Sequence, residues 1–202
     1  MKCRELTSAY RVQRELLSGK EIGAVKAGAT NHSSARALQH NGVLIGCIEK
    51  SRIFFDTVPK DFELAEVEIV CEIRVAADGS REYEVLATQI GIECPQISAQ
   101  KPVKDATSCI ESNNSAGDLL LFGCGLPDAW SHVDVYKNGK WLLRADPAVL
   151  KFPIEYIVKE AVDSVYSHEL FPSNDFYVAT GGLSKIFTLR TGDDITFEYG
   201  NE

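Results

Sequence analysis

The sequence has no surplus of positive charge. Its 29 acidic residues outnumber 21 Lys and Arg, for a formal charge of −8 and an isoelectric point near 5.1. A phosphate backbone or an anionic membrane surface would repel such a chain, so neither nucleic acid nor membrane is an expected partner. Long apolar runs are also missing: Val43 to Ile48 and Leu119 to Gly125 fall far short of the ~18 residues that a bilayer span needs. The opening Met-Lys-Cys-Arg-Glu has no apolar signal region. A cytoplasmic protein is the expectation.

Cysteine and histidine pairs at zinc-ligand spacing are absent as well. Cys3, Cys47, Cys71, Cys94, Cys109 and Cys124 form no Cys-x-x-Cys pair, and His32, His40, His132 and His168 are equally scattered, which disfavours structural zinc. Several cysteines lie inside apolar runs, where a reduced thiol behaves as a small hydrophobe, so buried free thiols are expected. The chain shows no repeat and no low-complexity linker. Its 202 residues supply one full core and are short for two. A single domain over residues 1–202, a β-rich α+β unit, follows.

Patterning fills in the elements. Thr7-Ser8 can cap a helix running to about Leu17 and stopped by Gly19. A buried strand follows at Ile22 to Ala27, then a short helix at Ser33 to Gln39, a strand at Gly42 to Ile48, and the strand Phe62 to Arg74 ended by Asp78-Gly79. Ser80 can cap a two-turn helix, Arg81 to Thr88, before a strand Ile90 to Cys94 stopped by Pro95. Asn138-Gly139 inside Val133 to Leu143 is the strongest hairpin signal. Pro153 opens a helix to about Tyr166, and Phe176 to Ala179 and Ile195 to Tyr199 read as strands.

Within Phe62 to Arg74, Glu66-Val67-Glu68 is the chemically suggestive triplet. On a strand, residues i and i+2 share a face, so both carboxylates project side by side, at Cα atoms roughly 6.6–6.8 Å apart. The odd positions Val67, Ile69, Cys71 and Ile73 are apolar, so the same pattern describes an ordinary strand with its acids in water. Glu93, an acid at the end of an apolar strand, could join the pair. Lys26 is embedded in an apolar strand ahead of the small-residue turn Ala27-Gly28-Ala29-Thr30-Asn31. Burying an ammonium alone is costly, so Lys26 either reaches solvent or meets an anion.

These stretches occur in a collinear set with Ser8-Ala9-Tyr10-Arg11-Val12-Gln13, Ser112-Asn113-Asn114-Ser115-Ala116-Gly117, Val178-Ala179-Thr180-Gly181-Gly182 and Gly192-Asp193-Asp194. The set resembles the 2-keto-4-pentenoate hydratase and 4-oxalocrotonate decarboxylase family of the fumarylacetoacetate hydrolase-like superfamily, over nearly the whole chain. The resemblance implies a mixed β-roll or barrel of the fumarylacetoacetate hydrolase C-terminal domain type with a few peripheral helices. It implies Glu66, Glu68 and Glu93 as ligands of Mg2+ or Mn2+, Lys26 as the catalytic lysine, and Gly28, Thr30, Asn114, Thr180 and Gly181 around the substrate. Three carboxylates are suitable donors for a hard ion. The implied activity is that of a lyase, a hydratase or decarboxylase of short 2-keto and 2-hydroxydienoate acids in aromatic compound catabolism. A homo-oligomer is implied too.

The chain also departs from the family pattern. It is shorter and begins almost at the Ala-Tyr-x-Val-Gln helix, without the family's leading helical segment. Asn113-Asn114 replaces an Asp-Asn pair, Gly182 replaces a serine, and Pro95-Gln96 stands where a further acid is usual. Two alternatives remain open at this point. An acylpyruvate-type carbon–carbon hydrolase would want a His-Glu pair to activate water, for which His32 is the available histidine. The other is a metal- or ligand-binding relative that keeps the fold without turnover.

Overall fold

A computed structural model describes residues 2–76, 80–96, 103–170 and 172–201. In chain order its elements are α1 (Lys2–Leu16), β1 (Ile22–Gly28), α2 (His32–Ala37), β2 (Leu44–Glu49), β3 (Ile53–Phe55), β4 (Phe62–Val75) and β5 (Tyr83–Cys94). They continue with α3 (Ala106–Glu111), β6 (Asp118–Gly125), β7 (His132–Lys137), β8 (Lys140–Ala145), α4 (Ile154–Ser167), β9 (Pro172–Ala179), β10 (Phe187–Leu189) and β11 (Ile195–Gly200).

The main sheet runs β2-β1-β9-β4-β5-β6-β3, with β10 added against the start of β4. Pairs β1/β9 and β3/β6 are parallel and the other neighbours antiparallel. A smaller antiparallel sheet, β11-β7-β8, carries the expected hairpin. Its turn has Asn138 at φ 54° and Gly139 at φ 71°, left-handed values that suit the right-handed twist of the flanking strands.

Alternation along the strands gives the main sheet two unlike faces. One presents Val25, Ile45, Val67, Ile69, Ile73, Ile90, Ile92, Leu120 and Val178 to the principal core. Against it pack α1 and α4, the latter through Ile157, Val158, Ala161, Val162 and Val165, spaced as one helical face. The other face holds a smaller cluster of Ala24, Ile48, Val70, Ala116, Leu119, Leu121 and Ala179. The cross-strand rows Lys26↔Ala179↔Val70 and Glu66↔Glu93↔Leu119 put Lys26, Glu66, Glu68 and Glu93 on this second face. The curl of the sheet makes it the inner one.

Four expectations are corrected, the first being the cap at Thr7-Ser8, which lies inside α1 (Lys2–Leu16). Residues 81–88 are not a helix: Tyr83 to Thr88 open β5, pairing Val75↔Tyr83, Arg74↔Glu84, Ile73↔Val85 and Cys71↔Thr88. So short a helix has little stability of its own, whereas the ladder satisfies the backbone groups at the far end of β4. The solvated-face reading of Glu66-Val67-Glu68 also fails, because the small apolar cluster covers that face and Glu68 is 0% exposed. Strands β3 and β10 were not anticipated, and the expected stop at Asp78-Gly79 lies outside the described residues. Pro153 is the N-cap of α4 rather than part of its first turn. The cysteines described, Cys47, Cys71, Cys94, Cys109 and Cys124, are free. No described helix is long and apolar enough to cross a membrane.

Asn113 ties α1 to β2. Its Oδ1 accepts from Gln13 Nε2 and from Cys47 N, each at 2.8 Å, and its Nδ2 donates to Cys47 O at 2.7 Å. Asn113→Ala would remove the side-chain partner of Cys47 N and Cys47 O at a left-handed position (φ 55°), while Gln13 Nε2 keeps its bond to Ile45 O, and each orphaned buried group costs roughly 1–3 kcal/mol. A loss of about 2–4 kcal/mol is expected, read as a lower urea midpoint at unchanged slope.

Candidate active site

Glu66 on β4 and Glu93 on β5 are direct cross-strand partners, and Glu68 lies two residues along on the same face. Lys26 approaches from β1, across β9 and β4. Ala179, its neighbour on β9, is small enough to let the lysine chain pass over. Lys26 Nζ meets Glu93 Oε2 at 2.9 Å, with Lys26 9% exposed and Glu93 fully buried. The second oxygen of Glu93 accepts from Gly117 N at 3.3 Å. Glu68 Oε2 accepts from Gly181 N at 2.8 Å, whereas Glu68 Oε1 is buried with no hydrogen-bond partner.

Electrostatics follow from burying three acids with one base. Burial, reinforced by the charge of Glu93, pushes the Glu68 carboxyl well above its ordinary value. Burial also raises Glu93 and Glu66, against the opposing pull of Lys26. Burial works against the charge on Lys26, but Glu93, Glu68 and Glu66 together outweigh it and hold its pKa above the usual 10.5. Lys26 is therefore a cation at neutral pH, and Glu68 is the acid most readily protonated.

The remaining sequence candidates surround this cluster in different roles. Gly181, at φ 109°, turns its amide onto Glu68, and a methyl there would overlap Thr30 Oγ1. Thr180 donates from both N and Oγ1 to Ile69 O at 3.0 Å, fixing the turn into Gly181. Asn114 Nδ2 bridges Lys26 O at 3.4 Å and Leu44 O at 3.2 Å, and its Oδ1 accepts from Cys109 Sγ. Asn114 thus carries the backbone under Lys26. Gly28 is tight because Asn114 lies against it: a Cβ would collide with the Asn114 amide. His32 starts α2 and lines a cavity of about 630 Å³ that Gly182 also lines.

Three contributors escaped the sequence reading. Gly117 is a donor to Glu93, and a methyl on it would run into the backbone carbonyl of Cys94. Ala179 owes its importance to register, which no local pattern reveals. Gly182 abuts Glu66, whose Oε2 fills the space a Cβ would take; Thr180-Gly181-Gly182 was the available signal.

A hard divalent cation fits the donor chemistry here. All three acids offer oxygen, and the orphaned Glu68 Oε1 is a buried acceptor whose isolation is unfavourable until a positive group meets it. Among the described residues no three ligating side chains already form a metal-holding group; Glu93 engages Lys26 and Gly117 instead.

Neither a family model nor a curated protein matches the sequence. Among solved structures, 4-oxalocrotonate decarboxylase from Pseudomonas putida G7 superposes with a TM-score of 0.72 in its complex with magnesium and adipate and 0.71 with calcium and acetate. Identity is 17%, over 96% of this chain and 82% of that one. The 2-hydroxyhepta-2,4-diene-1,7-dioate isomerase from Mycobacterium marinum follows at TM-score 0.56 and 14% identity, covering 88% of this chain and 71% of that one. A protein assigned as a fumarylacetoacetate isomerase/hydrolase from Oleispira antarctica gives 0.55 and 16%, over 90% and 88%. The chain has the fumarylacetoacetate hydrolase-like fold. In this fold, Glu66, Glu68, Glu93 and Lys26 occupy the inner face of the curled sheet.

The acid cluster makes two effects measurable. In the unfolded chain Glu68 titrates near its ordinary 4.5, while the folded protein keeps its proton to higher pH. The folded state then binds more protons, so stability falls as pH rises through and above that value. Thermal melts between about pH 5.5 and 8 should show Tm declining with pH, and Glu68→Gln should flatten the decline and raise Tm at the alkaline end. A wild-type Tm that rises over this range would contradict the buried acids. In Gly182→Ala the new methyl must displace the Glu66 carboxylate. Because the displaced atom is the end of a flexible chain, Tm in chelator should change by only a few degrees, while a rise in Tm produced by a divalent cation through Glu66 would shrink.

Proposed function

We propose that this chain is a divalent-metal-dependent lyase acting on short 2-keto or 2-hydroxydienoate acids, as a hydratase or decarboxylase. Glu66, Glu68 and Glu93 hold Mg2+ or Mn2+, and Lys26 acts as the electrophilic, proton-handling group. The observation that carries this reading is the buried meeting of Lys26 with three carboxylates, one of which keeps an unpartnered oxygen. Perturbed, mutually coupled ionisable groups on an inner sheet face mark functional sites more than they serve stability. The solved 4-oxalocrotonate decarboxylase, with its magnesium and adipate, supports the choice of metal and of acid substrates.

The bound ion would supply Lewis acidity, polarising a keto oxygen and stabilising negative charge that develops there. The chain's own groups supply the rest. Lys26, kept charged by its acids, presents a second positive group to the same oxygen and can pass a proton to the reacting carbon skeleton. Glu93, gripped by Gly117 N, holds Lys26 in place. Gly181 N orients Glu68. Val70, Leu119, Leu121 and Ala179 around the cluster exclude water, which strengthens each of these interactions. The Thr30 hydroxyl and the backbone of Gly28 are the proposed holders of the substrate carboxylate, while Gly181 holds Glu68 beside them and Asn114 and Thr180 support them from behind.

Protein supplied with millimolar MgCl2 or MnCl2 should consume a 2-hydroxydienoate, followed by loss of its conjugated absorbance, with products weighed by mass spectrometry. Hydration keeps every carbon, decarboxylation loses one as carbon dioxide, and acylpyruvate-type hydrolysis yields two fragments. Lys26→Met should cut turnover by about 10²–10⁴-fold while keeping a metal-induced rise in Tm. Undiminished turnover would remove Lys26 from the mechanism. A metal-induced rise without turnover of any dienoate or 2-keto acid would make the chain a binding relative.

A further inference from the structure

The inner face of the main sheet has a second end. Lys26 lies toward the C-terminal end of β1 and Gly181 just past that of β9, whereas Gly23 and residues 173–177, nearer the starts of the same two strands, line a cavity of about 530 Å³. The register row Ala24↔Tyr177↔Glu72 stands two residues along from Lys26↔Ala179↔Val70, so Tyr177 and Glu72 share the face of the acid cluster. Buried Val70 stands between Glu72 and Glu68 along β4, as Ala179 does on the way from Tyr177 to Gly181. None of Lys26, Glu66, Glu68 and Glu93 lines the cavity. Gly23 lets the turn between β2 and β3 close over this end, since a Cβ there would lie 2.8 Å from Ile53 Cδ1 and 2.9 Å from Lys50 Cα.

Two aromatic rings and one idle charge distinguish the wall. Phe55 is 57% exposed and meets Tyr177 edge to face, with 6.4 Å between ring centroids, while Tyr177 and Ile53 pack on the small apolar cluster of the inner face. The other charged groups on the wall are already paired. Lys50 is taken by Glu21 at 2.7 Å, and Asp175 by Arg74 at 2.9 and 3.1 Å. Glu72, half-buried, forms no hydrogen bond or ion pair among the described residues. It is the direct cross-strand partner of Tyr177, whose hydroxyl is raised above its ordinary pKa by burial and by the Glu72 charge. A solvent-facing ring costs free energy that packing against its own chain does not return, and a half-buried carboxylate without a partner adds to it. Rings attract a cation through their negative faces, and a carboxylate accepts its N–H. The volume falls within the range of small-ligand pockets.

We propose that this cavity is a second binding site, for an organic ammonium with an apolar body: the ammonium meets Glu72, and the body lies against Phe55, Tyr177 and Ile53. The site is independent of the reaction assigned to the acid cluster, because it uses none of the same residues. Its selectivity is for charge, since Lys50 and Arg74 are neutralised by their own partners and Glu72 is left to choose the ligand.

Calorimetric titration of the protein with 2-phenylethylamine and 2-phenylethanol tests it, because the two share a ring on a two-carbon chain and differ in carrying an ammonium or a hydroxyl. The amine should bind at least about tenfold more tightly, and the ratio should shrink as salt is raised. Glu72→Gln should bring the ratio toward one. Phe55→Ala, at an exposed position, should weaken the amine by about threefold or more with little change in Tm, and Glu68→Gln should leave both affinities as they were. Equal affinity for the two probes, no binding of the amine at millimolar concentration, or a ratio unmoved by Glu72→Gln overturns the inference. An amine affinity lost in Glu68→Gln but kept in Glu72→Gln would place the cation in the acid cluster and overturn it too. So would a dimer, seen by sedimentation, that Phe55→Ala dissolves, because a second copy would then be what covers the ring.

Discussion

Lys26 and Glu93 lie on strands separated by two others, yet their side chains touch at 2.9 Å. Strands spaced about 4.8 Å apart would put β1 and β5 some ~14 Å from each other in a flat sheet, with side chains standing roughly perpendicular to it. The contact exists because the sheet curls, so the ion pair and the concave inner face are one fact. The pair is a poor candidate for a stabiliser. Taking both charges out of water costs several kcal/mol per ion, and apolar residues of similar volume often hold such a place as well or better. Its presence, with Glu66 and Glu68, on a face that also holds a cluster of Ala, Val, Leu and Ile argues for a chemical reason.

The backbone around the pair carries its own unfavourable terms. Asn113, Asn114 and Ser115 have φ of 55°, 51° and 53° in succession, a left-handed run that L-residues rarely adopt. Asparagine tolerates that region better than most, and here both asparagine side chains are held by strands β1 and β2 and by helices α1 and α3. What the loop provides is Gly117 N at the far oxygen of Glu93. The acid is thus held from one side by an ammonium and from the other by an amide whose position the strained turn sets. Asn113-Asn114, a departure from the family pattern, proves compatible with a fully bonded loop.

Much of this was legible in the sequence, for identifiable reasons. The strand carrying Glu66 and Glu68, the helix Ile154–Ser167, the Asn138-Gly139 hairpin and the first strand each combine periodicity with a cap or turn residue, and local signals of that kind survive folding. Residues 81–88 misled because Ser80 and a mixed polar run suit a helix as well as a strand, and the ladder that decides between them is made with residues from Val75 back to Cys71, across a turn. The same limit applied to the site. The acids and Lys26 could be named, but the burial of Glu68 depends on Val70, Leu119 and Ala179 meeting on one face, which is a matter of register. Ala179 and Gly117 have no local signature, because each matters through what it lets another residue reach.

Charge balance links these parts. Glu66, Glu68 and Glu93 against Lys26 leave an excess of two negative charges if all four are ionised, in a place that Val70, Leu119 and Ala179 keep dry. A protein without another cation meets that excess by keeping a proton, and Glu68, with burial and Glu93 both acting on it, is where the proton goes. A doubly charged ion removes the same excess without a proton and supplies a partner for the orphaned Glu68 Oε1. A proton and a divalent ion would therefore compete for one position. That competition follows from the carboxylates and their burial alone, before any reaction is assigned.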